Sequence, residues 1–119
     1  MTEHDLQASI IAECNLRANQ EPLFGRIFAV PNGGARNVVV ARKLKAEGVR
    51  RGVPDLVWPI PRGDYNGLVM ELKVGRNKAS AEQGEWLKFF ESIGWYTCVV
   101  HDDPAAAMTV LEWYFGGAL

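Results

Sequence analysis

Asp55, Glu71 and Lys73 are the residues whose types and spacing could do chemistry. Asp55 opens an apolar run directly after Gly52-Val53-Pro54, a turn whose proline restricts both its own φ and the residue before it. Glu71 and Lys73 stand two apart in a stretch, 67–74, that alternates like a strand, so both side chains leave one face. If the loop at 59–67 joins neighbouring strands, Asp55 and Glu71 come side by side. Two carboxylates so placed repel, and the pKa of one must rise unless a cation lies between them. Mg²⁺ (or Mn²⁺) suits the pair, because Mg²⁺ is hard, prefers oxygen and is held by one or two carboxylates plus water and substrate phosphate. A metal there would polarise a phosphodiester and acidify bound water, which is the chemistry of hydrolysis. Lys73 would orient the attacking water or stabilise the developing negative charge.

The elements that must hold these residues alternate between helical and extended periods. Residues 3–18 read as a helix capped by Thr2, with Leu6, Ile10 and Cys14 at four-residue steps. At 100° per residue Glu3 lies only about 20° from Ile10, so a carboxylate sits within the apolar stripe. Glu13, at the edge of that stripe, is the alternative. A short strand over 26–30 ends at Pro31 and the Asn32-Gly33-Gly34 turn, and a cationic helix over 36–47 stops at Gly48. Strands follow at 55–58 and 67–74. Ser80 then opens a helix with Trp86, Leu87, Phe90 and Ile93 as its buried stripe, ended by Gly94. Within it Ser80-Ala81-Glu82-Gln83 matches a capping box, in which Gln83 bonds back to the cap. A strand at 95–100 and a helix from Asp103-Pro104 to about Phe115 complete the order αβαββαβα, a single α/β domain over 1–119.

Composition agrees with that class. The 119 residues are 48% hydrophobic and 23% charged, and a chain of this size buries roughly two-thirds of its surface on folding. No window approaches the ~18–20 apolar residues of a membrane span. The acidic, polar opening Met1-Thr2-Glu3-His4-Asp5 is unlike a targeting segment, and the separated Cys14 and Cys98 read as reduced thiols of a cytoplasmic protein. The net charge of −1 conceals an asymmetry. Arg36, Arg42, Lys43, Lys45, Arg50 and Arg51 face Glu47 alone, whereas residues 79–119 carry one basic and six acidic groups. The cationic stretch is either a solvated helix face or a grip on a phosphate backbone.

In chain order the sequence shows Glu3 on an N-terminal helix, Pro31-Asn32-Gly33-Gly34, Gly52-Val53-Pro54-Asp55-Leu56, Met70-Glu71-Leu72-Lys73, and Ser80-Ala81-Glu82-Gln83 before Trp86-Leu87. This ordered set resembles the VRR-NUC family, the virus-type replication-repair nucleases of the PD-(D/E)XK superfamily, in its small stand-alone phage or bacterial form. The resemblance runs from about residue 3 to 115 and implies a restriction-endonuclease-like fold, a mixed central sheet flanked by helices. It implies metal ligation by Asp55, Glu71 and the Leu72 backbone carbonyl, with Glu3 as the helix carboxylate. Lys73 matches the motif lysine, and Gln83 matches an active-site glutamine, in addition to capping.

The implied activity is a Mg²⁺- or Mn²⁺-dependent endonuclease that leaves a 5′-phosphate and favours branched DNA such as four-way junctions. Asn32, Arg36, Arg42, Lys43, Lys45, Arg50 and Arg51 are the expected DNA contacts. A homodimer is expected as well. One chain offers one site, whereas resolving a junction needs two cuts on opposing strands, and closed two-fold pairing is the commonest homo-oligomer. Trp113, Tyr114 and Phe115, consecutive on a helix, cannot all pack inward. The rival readings are a non-catalytic DNA-structure-binding module and an RNA-processing or restriction-type nuclease of the same superfamily.

Overall fold

A computed structural model describes residues 1–31 and 38–116. The first helix, α1 (Glu3–Arg17), begins at a capping box: the Thr2 hydroxyl accepts from the Asp5 N–H at 3.1 Å, and the Thr2 N–H donates to the Asp5 carboxylate at 2.9 Å. The Thr2 backbone N–H, followed by the Thr2 side chain, holds the Asp5 carboxyl below its ordinary range. Leu6, Ile10 and Cys14 form the fully buried stripe, as their spacing requires. Next comes a 3₁₀ helix at Pro22–Arg26, where the sequence predicts only a strand at 26–30. The strand is reduced to β1 (Phe28–Ala29), although the Val30 N–H still donates to the Asp55 carbonyl at 2.9 Å. Phe24 explains the turn. Its ring lies 5.0 Å from Trp58 and 5.2 Å from Phe115, and only a tight helical turn carries it into the core from there.

The remaining elements are α2 (Val38–Ala46), β2 (Leu56–Trp58), β3 (Leu68–Lys73), α3 (Ala81–Ser92), β4 (Tyr96–His101) and α4 (Pro104–Phe115). The strands lie in the order β1-β2-β3-β4. The first two pairings are antiparallel, and β3 pairs with β4 in parallel, the crossover being α3. The sheet is therefore mixed and flanked by helices, as expected. On one face Leu56, Trp58, Leu68, Met70 and Leu72 meet α1 and α4 in the main core. Every residue of β3 is buried, so Val69, Glu71 and Lys73 are covered on the opposite face too. Burial pushes the thiols of Cys14 up to about 11 and Cys98 up to about 12, which keeps both protonated at neutral pH.

One apolar expectation is corrected and another is met. No residue of α3 is fully buried: Trp86, Leu87 and Phe90 are half-buried, and Ile93 is 44% exposed. The helix lies over β4, the sheet's edge, so one side of its stripe overhangs the sheet. On α4, Tyr114 is fully buried and its hydroxyl donates to the Ile60 carbonyl at 2.6 Å, while Phe115 packs against the core. Only Trp113 of the aromatic triplet is exposed. Among the described residues no helix is long and apolar enough to cross a membrane.

These burial differences set stability. Ile10→Ala should cost about 2–5 kcal/mol by leaving a cavity in the core, whereas Ile93→Ala should cost less than about 1 kcal/mol. Urea unfolding of the two variants beside the parent chain gives both numbers.

Candidate active site

The approach to Asp55 depends on one glycine. Gly52 has φ +82°, and a Cβ there would meet the carbonyl carbon and Cβ of Glu82 at 2.9 Å and the Gln83 nitrogen at 3.0 Å. Glycine alone lets this loop press against the first turn of α3. The indole N–H of Trp86, also on α3, donates to the Arg51 carbonyl at 3.0 Å and pins the same loop to the helix. The chain then enters β2 through the buried Pro54 with Asp55 at its head. In the antiparallel register Leu56 faces Met70, so the next residues outward, Asp55 and Glu71, oppose each other. One Asp55 carboxylate oxygen accepts from the Leu72 N–H at 2.7 Å, which fixes the side chain across the end of the strand pair.

Glu71 is 1% exposed. Its Oε2 accepts from the Gln83 side-chain amide at 3.0 Å and lies 3.4 Å from the Lys73 ammonium. No hydrogen-bond donor among the described residues reaches its Oε1, which is buried. Burial, followed by the neighbouring Asp55 carboxylate, pushes the Glu71 carboxyl up to about 8 against the opposing pull of Lys73. Gln83 serves two structures at once. Its Oε1 accepts from the Ser80 N–H at 2.8 Å, closing the capping box, and this orientation turns its NH₂ toward Glu71.

Two opposed carboxylates, a buried oxygen that no donor reaches, and a carboxyl whose pKa is raised first by burial and then by its neighbour fit a hard divalent cation, which would offset all three. Asp55 and Glu71 could hold it. The resemblance adds the Leu72 carbonyl, from the residue whose N–H orients Asp55. Among the described residues no three or more His, Cys, Asp or Glu gather as a metal cage. Glu3 therefore does not close on the pair; it lies half-buried in the first turn of α1. Glu13 is exposed and lines a surface hollow with Asp103, Pro104 and Glu112.

Arg42, Lys43, Lys45, Arg50 and Arg51 are all exposed, and α2 buries no residue. Asn32 and Arg36, with the start expected for the cationic helix, lie outside the described residues. Sequence reasoning missed the supporting role of Gly52 and the anchoring of Arg51 by Trp86. The available signal for the first was a glycine two residues before a proline that precedes a candidate ligand.

The Glu71 shift has a stability consequence. Its folded pKa of about 8 lies above the ordinary 4.5, so between these values the folded chain binds more protons than the unfolded one. Stability from this group is present below about pH 4.5 and is lost as pH rises toward 8. In EDTA, Tm should fall from pH 5 to 8, and Glu71→Gln should flatten that fall. Mg²⁺ added at pH 7.5 should raise Tm for the parent chain and leave Glu71→Gln unmoved. Thermal unfolding followed by circular dichroism measures all three.

Comparison with known proteins agrees with the geometry. The VRR-NUC domain family matches residues 2–102. A solved structure described as a VRR_NUC domain protein superposes with a TM-score of 0.79 at 29% identity, covering 98% of this chain and 90% of that one. No curated protein matches. The fold is accordingly of the PD-(D/E)XK type, and the opposed Asp55–Glu71 pair, with Lys73 and Gln83 beside it, falls within the matched span. The chain belongs to the VRR-NUC family of nuclease-type, DNA-processing domains.

Proposed function

We propose that residues 1–119 form one endonuclease domain that hydrolyses DNA phosphodiesters with Mg²⁺ (or Mn²⁺). The observation that carries this reading is the opposition of Asp55 and Glu71 with the buried Glu71 Oε1 left without a donor. Asp55 and Glu71, with the Leu72 carbonyl, would hold the metal, and Glu3 is the further carboxylate that the family likeness implies. When bound, the metal supplies Lewis acidity and a nucleophile at neutral pH. The chain's own residues do the rest. Gln83 fixes the Glu71 rotamer by donating to Oε2, and Leu72 fixes Asp55. Lys73, held beside Glu71, places a positive charge where negative charge develops on the phosphoryl oxygens.

The exposed Arg42, Lys43, Lys45, Arg50 and Arg51 would bind the backbone, whose contacts set position rather than sequence. Asn32 and Arg36, the other expected DNA contacts, lie outside the described residues. Branched DNA is the proposed substrate, with four-way junctions the leading geometry. A two-fold homodimer would place two sites on opposing strands, and Val38 and Val39 of α2 together with Trp113 offer exposed apolar area for pairing. Cytoplasmic work on intracellular DNA is part of this reading, in keeping with the two free cysteines.

A panel of labelled duplex, flap, four-way junction and RNA substrates tests this reading. Paired cuts at junctions are the expected result, and cleavage of RNA alone would replace DNA as the substrate. Asp55→Ala and Glu71→Gln should each lower turnover at least about 1,000-fold, roughly the loss of 4 kcal/mol of transition-state stabilisation. Junction binding should survive in both. Wild-type turnover in either variant would remove the proposed site.

The cationic segment has its own readout. Replacing Arg42 and Lys45 by glutamine should flatten the slope of log K against log salt by about 1–2, since each phosphate contact contributes about 0.9. Filter binding across a salt series measures the change. An unchanged slope would make α2 a solvated helix.

A further inference from the structure

The outer side of α3 carries aromatic surface that hydrolysis does not use. Trp86 sits three residues beyond Gln83, about 4.5 Å along the helix axis. Its indole N–H is already satisfied by the Arg51 carbonyl, Phe90 flanks its ring at 6.1 Å and 35°, and Phe89 meets it edge-on at 5.9 Å and 89°. Phe89 is 50% exposed. Arg51, Glu82, Glu85, Trp86 and Phe89 line an open hollow of about 420 Å³. On its other side Trp86 lines a second hollow with Val49 and Arg50. The indole is thus a wall between two depressions, each with an arginine, beside the loop that carries Asp55.

Three chemistries meet in the first hollow. Aromatic rings offer a stacking surface to any base, because every base has a π-face. Arg51 offers a cation to the neighbouring phosphate. Glu82 and Glu85 repel phosphate from the hollow and can accept hydrogen bonds from exocyclic amino groups of a base edge. We propose that this hollow receives one unpaired nucleobase of the substrate strand, stacked on the exposed Phe89 ring with the Trp86 indole as the adjoining wall. The proposal rests on the nuclease reading and narrows its substrate to branched DNA that holds, or can open, an unpaired nucleotide at the branch. A second copy of this chain is the competing occupant of an exposed aromatic face. Arg51 in the lining, and Glu82 there as the chain neighbour of Gln83, which bonds to Glu71, favour the nucleotide.

The test measures binding, so it does not depend on cleavage. The full chain carrying Asp55→Ala is titrated into a fluorescein-labelled fork with unpaired arms and into a fully paired duplex of the same length. Adding Phe89→Ala should weaken fork binding by roughly 5- to 100-fold, the loss of one base–aromatic stack, and collapse the preference for fork over duplex. Trp86→Phe, which keeps a ring and loses the bond to Arg51, should give an intermediate loss. Binding of the chain that keeps Phe89 should change the emission of a 2-aminopurine at the unpaired position next to the branch, and binding of Phe89→Ala should not. An unchanged preference, or equal losses on both DNAs, would overturn the proposal. So would a dimer that sedimentation shows falling to monomer on Phe89→Ala, since that assigns the face to a second copy. Failure of the parent chain to cut any DNA in the substrate panel would sink the nuclease reading separately, leaving the fork preference to be decided by these titrations.

Discussion

Two carboxylates held against each other at the end of a strand pair are the constraint around which this chain is organised. The antiparallel register of β2 and β3 sets the half-buried Asp55 opposite the fully buried Glu71, whose burial removes much of the water that would otherwise screen the pair. Left alone, such a pair opposes folding. The neighbouring structure answers it with donors and a cation: the Leu72 N–H to Asp55, and the Gln83 amide and Lys73 ammonium to Glu71. What they leave unanswered is one buried oxygen. A buried polar atom left unanswered is a local cost of the kind that collects at functional sites.

The sheet's mixed pairing follows from the same demand. An antiparallel β2–β3 pair needs only a loop to bring Asp55 and Glu71 together. The parallel β3–β4 pair needs a helical crossover, and α3 is that crossover. Its first turn therefore lands beside Glu71 and delivers Gln83. A slip of one residue between β2 and β3 would send Glu71 and Lys73 to the face covered by α1 and α4, where Leu68, Met70 and Leu72 now fill the core. Hydrophobic packing on one face thus fixes the chemistry on the other.

How much of this was legible follows from which physics each feature obeys. The helices α1 and α4, the strands β2, β3 and β4, and the Ser80 capping box came through local signals: apolar period, caps and turn residues. The opposition of Asp55 and Glu71 was readable because a short loop between two strands leaves few registers. The 3₁₀ helix at Pro22–Arg26 was not readable, because Phe24 turns inward only to meet Trp58 and Phe115, which are distant in sequence. Nor was the exposure of Ile93, because a helical stripe does not say how wide a sheet lies beneath it. Glu3 shows the same limit. Its angular place on α1 was correct, yet helix phase does not carry a carboxylate across to another element.

The dual engagement of Gln83 narrows what evolution can do at one position. A capping box accepts glutamate or glutamine with equal ease, because only an oxygen facing the cap is needed. Here the other end of the side chain must donate to Glu71. Glutamate would preserve the helix and set a third negative charge against a carboxyl already crowded by Asp55. A substitution that a helix-stability screen would pass as silent is therefore barred by the neighbouring strand, and the single-atom difference between an amide nitrogen and a carboxylate oxygen separates a helix cap from a working site.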